Sequence, residues 1–203
     1  MRGWLRGFCL TVVLPMIMDR LGTTLLALAR RAIDTSFNTN RQAHEIVPEA
    51  LNLPRLSEPG ATFVTLALNG KLRGCMGSVE ASRPLKDDVV EHALAAAFRD
   101  PRFAPLTFQE WKQAKVEVSL LDEPQHIRFV NEEEILGALL PGRDGVILEH
   151  GSLRATFLPQ VWETLPEPRQ FIQQLKIKAG LSANFWDNRI KLARYRVQKW
   201  KEM

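Results

Sequence analysis

The sequence predicts an α+β fold, mostly antiparallel sheet flanked by helices. Two observations carry that prediction. Segments of helical periodicity and segments of strand character are mixed, without the regular strand–helix–strand alternation of a parallel sheet. Between two strand-like runs lies Asn69-Gly70, the kind of dipeptide that readily takes the positive φ angles of a type I′ hairpin turn.

In chain order, Leu21, Leu25, Leu28, Ala29, Ala32 and Ile33 recur at helical spacing and predict an opening helix from Leu21 to Phe37. The proline-containing stretch from Pro48 to Pro59 reads as loop. Phe63–Leu68 and Lys71–Met76 form the predicted hairpin, with Val64 and Thr65 favouring strand. Its second strand carries Arg73, Gly74, Cys75 and Gly77 just past the turn. Pro84 to Phe98 reads as a helix: Pro84 suits the first turn, Asp87 and Asp88 suit the positive end of the dipole, and Leu85, Val89, Ala93 and Ala96 form the buried stripe. Thr107-x-x-Glu110 has the pattern of a capping box. Lys115–Leu121 sets Val116, Val118 and Leu120 against Lys115, Glu117 and Ser119, a strand with one wet face. Asn131 can cap a helix running through Leu139, which Pro141-Gly142 ends. Val146–Leu148 and Leu153–Phe157 read as a second hairpin around His150-Gly151. Pro168–Ala179 reads as a helix stopped by Gly180, and Ile190–Trp200 as one closing strand.

The 203 residues suffice for one sizeable domain, or one domain built from two lobes. With 45% hydrophobic and 25% charged residues, the composition is that of a folded chain. The net charge of +4 arises from 27 basic and 23 acidic residues scattered along the chain. A pI of about 9.3 is therefore only weak support for a nucleic-acid partner. The run Phe8–Leu14, preceded by Arg2 and Arg6, has the outline of a signal peptide. It lacks a small-residue cleavage site and is too short to cross a bilayer. Residues 1–20 are accordingly read as an extension, with Met16 and Met18 as alternative starts, and residues 21–203 as the domain.

Two cysteines, Cys9 and Cys75, exclude a disulfide scaffold and point to a reducing, cytoplasmic compartment with no membrane role. The histidines His44, His92, His126 and His150 have no ligand spacing, and no glycine-rich phosphate loop is present. No metal and no cofactor are expected.

The segments Thr62-Phe63-Val64-Thr65-Leu66, Leu72-Arg73-Gly74-Cys75-Met76-Gly77, Asp100-Pro101-Arg102-Phe103-Ala104-Pro105-Leu106, Val116-Glu117-Val118-Ser119 and Leu158-Pro159-Gln160-Val161 are joined by Lys178-Ala179-Gly180-Leu181 with Trp186. Together, and in this order, they resemble the motifs of the AMMECR domain family, from about Leu25 to about Trp200. Met76 stands where the family usually has isoleucine, an apolar exchange of similar volume. The resemblance implies an α+β fold of two lobes, with the Arg-Gly-Cys segment lining a cleft between them. It implies no settled activity. Bacterial and archaeal members often accompany a Memo-like protein and a radical SAM protein, the AmmeMemoRadiSam grouping.

The candidate residues follow from this segment. Strand alternation places Arg73 and Cys75 on one face, where a guanidinium favours the thiolate and thus a nucleophile. The contrary reading makes Cys75 a small buried hydrophobe. Gly74 and Gly77 let a ligand or another backbone approach closely. Asp100 and Arg102 are either an anion grip or a loop ion pair. Glu117 is either a general base or the partner of a neighbouring lysine. Lys178 is a candidate ligand contact, although its place near a helix C-terminus suits the dipole alone.

Three functions are therefore expected in descending order. The first is an enzyme or enzyme component using Cys75, Arg73 and Glu117 on a small or peptide substrate, with Arg102 as a polar helper. The second is a non-catalytic module that docks a Memo-like or radical SAM partner. The third, resting on charge alone, is RNA or nucleotide binding.

Overall fold

The computed structural model describes residues 10–37 and 52–203. The expected loop from Pro48 falls partly, and the Cys9 thiol wholly, outside the described residues. The helices are α1 (Leu10–Ser36), α2 (Leu85–Phe98), α3 (Phe108–Trp111), α4 (Glu132–Ala138) and α5 (Pro168–Lys178). The strands are β1 (Pro59–Leu68), β2 (Lys71–Gly77), β3 (Arg83–Pro84), β4 (Lys115–Leu121), β5 (Gln125–His126), β6 (Gly145–His150), β7 (Leu153–Phe157), β8 (Lys191–Tyr195) and β9 (Val197–Lys201). The fold is α+β, as expected. Among the described residues no helix is long and apolar enough to cross a membrane.

The chain divides into two compact units, one comprising residues 1–119 with 199–203 and the other residues 120–198. In the first, the sheet runs β2-β1-β4-β9, with β3 paired to β1. Asn69 (φ 51°) and Gly70 (φ 75°) form the two-residue turn, and Thr65 stands opposite Cys75 in the antiparallel register. That register shifts between Leu66 and Ala67, whose partners are Gly74 and Leu72. Arg73 is thereby left as the bulged residue of β2. The stripe Leu85, Val89, Ala93 and Ala96 of α2 is buried with Val64 and Leu66 of β1. Helix α1 buries Leu25, Ala29 and Ile33. Its Arg30 reaches Glu202 and donates to the Ala114 carbonyl at 2.8 Å.

The second unit has a sheet of order β5-β8-β6-β7. Its core gathers Val146 and Leu148 of β6, Leu192 of β8 and Phe171, Ile172 and Leu175 of α5. The Trp162 ring stacks on Phe171 at 3.8 Å between centroids. Trp162 also donates its indole N–H to the Asp144 carbonyl at 2.7 Å, so its polar edge is not orphaned by burial.

Two expected elements need correction. The opening helix begins at Leu10 rather than Leu21. The apolar run is compatible with helix, and Pro15 falls inside the span, where it has no backbone N–H to give the Thr11 carbonyl. The closing run is two strands instead of one: β8 pairs with β6 in the second unit's sheet, while β9 lies beside β4 in the first unit's. No glycine or proline marks that change, since the break at Arg196 follows from which partners each half finds.

Candidate functional site

β2 is an edge strand, and Gly74 explains how it is held. A Cβ at this position would lie 2.1 Å from the Ala96 carbonyl oxygen of α2. The glycine is therefore demanded by the close approach of strand to helix. A Cβ at Gly77 would meet the Phe63 ring at 2.3 Å and the Thr62 carbonyl at 2.4 Å. Both glycines thus serve contacts between protein backbones and side chains.

Cys75 is half-buried, and its neighbours come from β1 and from the loop after α2. The Thr65 hydroxyl donates to Cys75 Sγ at 3.3 Å. The Cys75 backbone N–H donates to Asp100 Oδ2 at 2.8 Å, and its carbonyl accepts from Arg102 Nη2 at 3.3 Å. Asp100 in turn takes Arg102 Nε at 2.9 Å and Nη2 at 2.7 Å. The Asp100–Arg102 pair therefore fills positions along β2 that a further strand would otherwise occupy, a form of edge protection by side chains. The Arg102 guanidinium holds the Asp100 carboxyl well below the usual carboxylate range, against its burial, with the backbone N–H groups of Cys75 and Arg102 adding to the effect. The Arg102 side chain remains 55% exposed.

Arg73 turns to other partners. Its Nε and Nη2 grip both oxygens of Glu110 at 2.9 and 3.0 Å, and Nη2 also donates to the Ala104 carbonyl at 2.9 Å. The fork geometry of guanidinium and carboxylate suits this two-point contact. Glu110 at the same time caps α3, accepting the Thr107 backbone N–H and hydroxyl, each at 2.8 Å. One carboxylate thus closes the capping box and anchors β2.

Arg73 foremost, with Thr107 assisting, lowers the Glu110 carboxyl to about 2. A carboxyl whose folded value is depressed stabilises the fold above its ordinary titration range and loses that contribution as the pH falls toward the folded value. Thermal melts from about pH 6 down to about pH 2 should therefore show a steep fall that is shallower in Glu110→Gln. Equal slopes in the two proteins would show that this carboxylate is not linked to stability.

The structure brings Cys75, Asp100 and Arg102 together, and joins Arg73 to the loop that carries Ala104. It places the remaining candidates elsewhere. Glu117 Oε1 lies 3.4 Å from Lys199 Nζ on β9, the neighbouring-lysine arrangement. Lys178, in the second unit, donates to the Thr156 carbonyl at 2.9 Å and lies 5.1 Å from the Phe157 ring.

Thr65 and Glu110 were not singled out from sequence, although the hairpin register and the capping box contain both. A buried polar cluster was missed as well. Asp88 Oδ2 accepts the Thr62 N–H at 2.9 Å and hydroxyl at 2.7 Å, and lies 3.1 Å from His92 Nδ1. The spacing of Asp88 and His92, four residues apart on a helix, was the available signal.

Comparison with known proteins agrees with the motif order. The AMMECR1 family model matches residues 26–200. A protein of Thermofilum pendens is 34% identical over 193 residues, covering 87% of each chain. One from Methanocaldococcus jannaschii is 34% identical over 190 residues, covering 90% of each. The crystal structure of an uncharacterized protein from Pyrococcus horikoshii aligns with a TM-score of 0.76 and 33% identity, covering 90% of this chain and 91% of that one. The chain belongs to the AMMECR1 family.

Proposed function

We propose that this protein is a non-catalytic binding module that presents the Cys75 region of β2 to a partner. The observation that supports this reading is the commitment of the neighbouring charges. Asp100 is held ionised by Arg102, and Glu110 by Arg73 and Thr107. A general base must take up a proton near the working pH, and carboxylates so strongly depressed do not. The Arg73 guanidinium is engaged by Glu110 and Ala104, which favours a structural role for it over activation of the thiol. The partner in this reading is a Memo-like protein or a radical SAM protein, in keeping with the family resemblance.

A second reading draws on the Thr65 hydroxyl, which donates to Cys75 Sγ at 3.3 Å. Such a donor holds the half-buried sulfur in a fixed orientation beside the Asp100–Arg102 pair. In this reading the protein is an enzyme or enzyme component acting on a small or peptide substrate, with Thr65 and Arg102 as the helpers of Cys75.

Two substitutions separate the readings. Cys75→Ser nearly keeps the shape but removes the sulfur nucleophile, whereas Cys75→Trp fills the surface in front of β2. Titration calorimetry with the Memo-like protein should give Cys75→Ser a Kd within about threefold of the native value. It should weaken at least about tenfold in Cys75→Trp, with melting checked for both. Unchanged affinity in a folded Cys75→Trp protein would remove the binding surface from β2.

A further inference from the structure

We infer that the second unit carries a binding pocket for a small organic anion with a short apolar body, separate from Cys75, which belongs to the first unit. The pocket has a volume of about 200 Å³. At roughly 30 Å³ for each water in the liquid, that is the space of about seven waters, suited to a ligand of a few heavy atoms.

Its floor is built by strand register. His126 on β5 stands opposite Ala193 on β8, and Ala193 stands opposite Ile147 on β6. Two residues along on the same face, Lys191 stands opposite Glu149, and Glu149 opposite Arg154 on β7. All of these residues line the pocket. The first row gives an apolar floor, with Ile147 at 3% and Ala193 at 7% exposure. The second row alternates cation, anion, cation. Within it, Glu149 is taken by Arg154, whose Nε lies 3.1 Å from Oε1.

Lys191 is the cation left over. Its side chain is exposed, and no hydrogen bond or ion pair of its ammonium is found among the described residues. The ladder thus sets an apolar floor beside an ammonium that makes no ion pair among the described residues, its cross-strand neighbour Glu149 being paired with Arg154. A carboxylate on a short hydrocarbon body complements both features, with its charge on Lys191 and its tail over Ile147 and Ala193. Strands fix these positions more tightly than loops would.

Butyrate is a suitable probe, and amide chemical shifts are a suitable readout. Titration of the full chain should shift the Ile147 and Ala193 signals with a millimolar Kd, the range expected of so small a ligand. Lys191→Met should weaken binding at least about tenfold, and Lys191→Arg should keep it within about threefold. Butylamine, of similar shape and opposite charge, should leave those signals in place. Absence of shifts at about 100 mM butyrate, far above that Kd, would overturn the proposal. So would equal affinity in a folded Lys191→Met protein, or inorganic phosphate binding as well as butyrate, since phosphate makes no use of the apolar floor.

Discussion

Gly74→Ala should destabilise the first unit by about 3 kcal/mol, the upper end of the usual cost of overpacking. For a chain of this length that corresponds to a fall of roughly 6–12 °C in Tm. The added methyl would sit 2.1 Å from the Ala96 carbonyl oxygen, well inside van der Waals contact. The obstacle is backbone, so no rotamer change relieves it, and β2 must move off α2 or α2 must bend. Moving β2 also disturbs the bonds from Cys75 to Asp100 and from Arg73 to Glu110. Gly137→Ala is the matched control, because a Cβ there meets nothing within 4 Å and alanine is the better helix former in α4 by about 1 kcal/mol. Differential scanning calorimetry should therefore move the two variants in opposite directions. An unchanged Tm in Gly74→Ala would show that strand and helix are not in the intimate contact described.

The second large effect is an asymmetry within one ion pair. Lys176 of α5 is 1% exposed, and its ammonium donates to Glu132 Oε1 of α4 at 2.6 Å. Glu132 Oε1 is its partner, and the Trp186 ring lies 5.9 Å from the ammonium. Removing the carboxylate alone strands a buried cation, which costs about 3 kcal/mol in comparable pairs. Replacing the lysine with an apolar chain of similar length removes the charge itself and leaves a glutamate that is 27% exposed and reachable by water. Glu132→Gln should thus lose roughly 6–12 °C in Tm, while Lys176→Met stays within about 3 °C of the native protein. Equal losses in both would mean that the pair stabilises through its attraction and not merely by avoiding an unpaired charge.

The elements legible in the sequence are those whose signals are local. Asn69-Gly70 announces the hairpin because so few residues tolerate positive φ in succession. Thr107-x-x-Glu110 announces the cap of α3 because its partners lie within one turn. Glu110 as the anchor of Arg73 was not legible, since the two are 37 residues apart and only the folded loop joins them. The burial of Lys176 was equally hidden, because its compensating charge comes from another helix. The division of the closing run into β8 and β9 carried no breaker, so partner choice alone decides it. For the candidate site, sequence drew attention to the Arg-Gly-Cys segment. The segment's glycine, however, answers to the α2 backbone, and its arginine to Glu110.

The measurement that bears most directly on the binding reading is metabolite comparison of a deletion strain carrying Cys75 variants. If the region around Cys75 serves to dock a partner, Cys75→Ser should restore the native metabolite profile, while Cys75→Trp, expressed and folded, should leave the profile of the deletion. A Cys75→Ser strain indistinguishable from the deletion, with its protein present at native levels, would contradict that reading and make the Cys75 thiol a chemical participant.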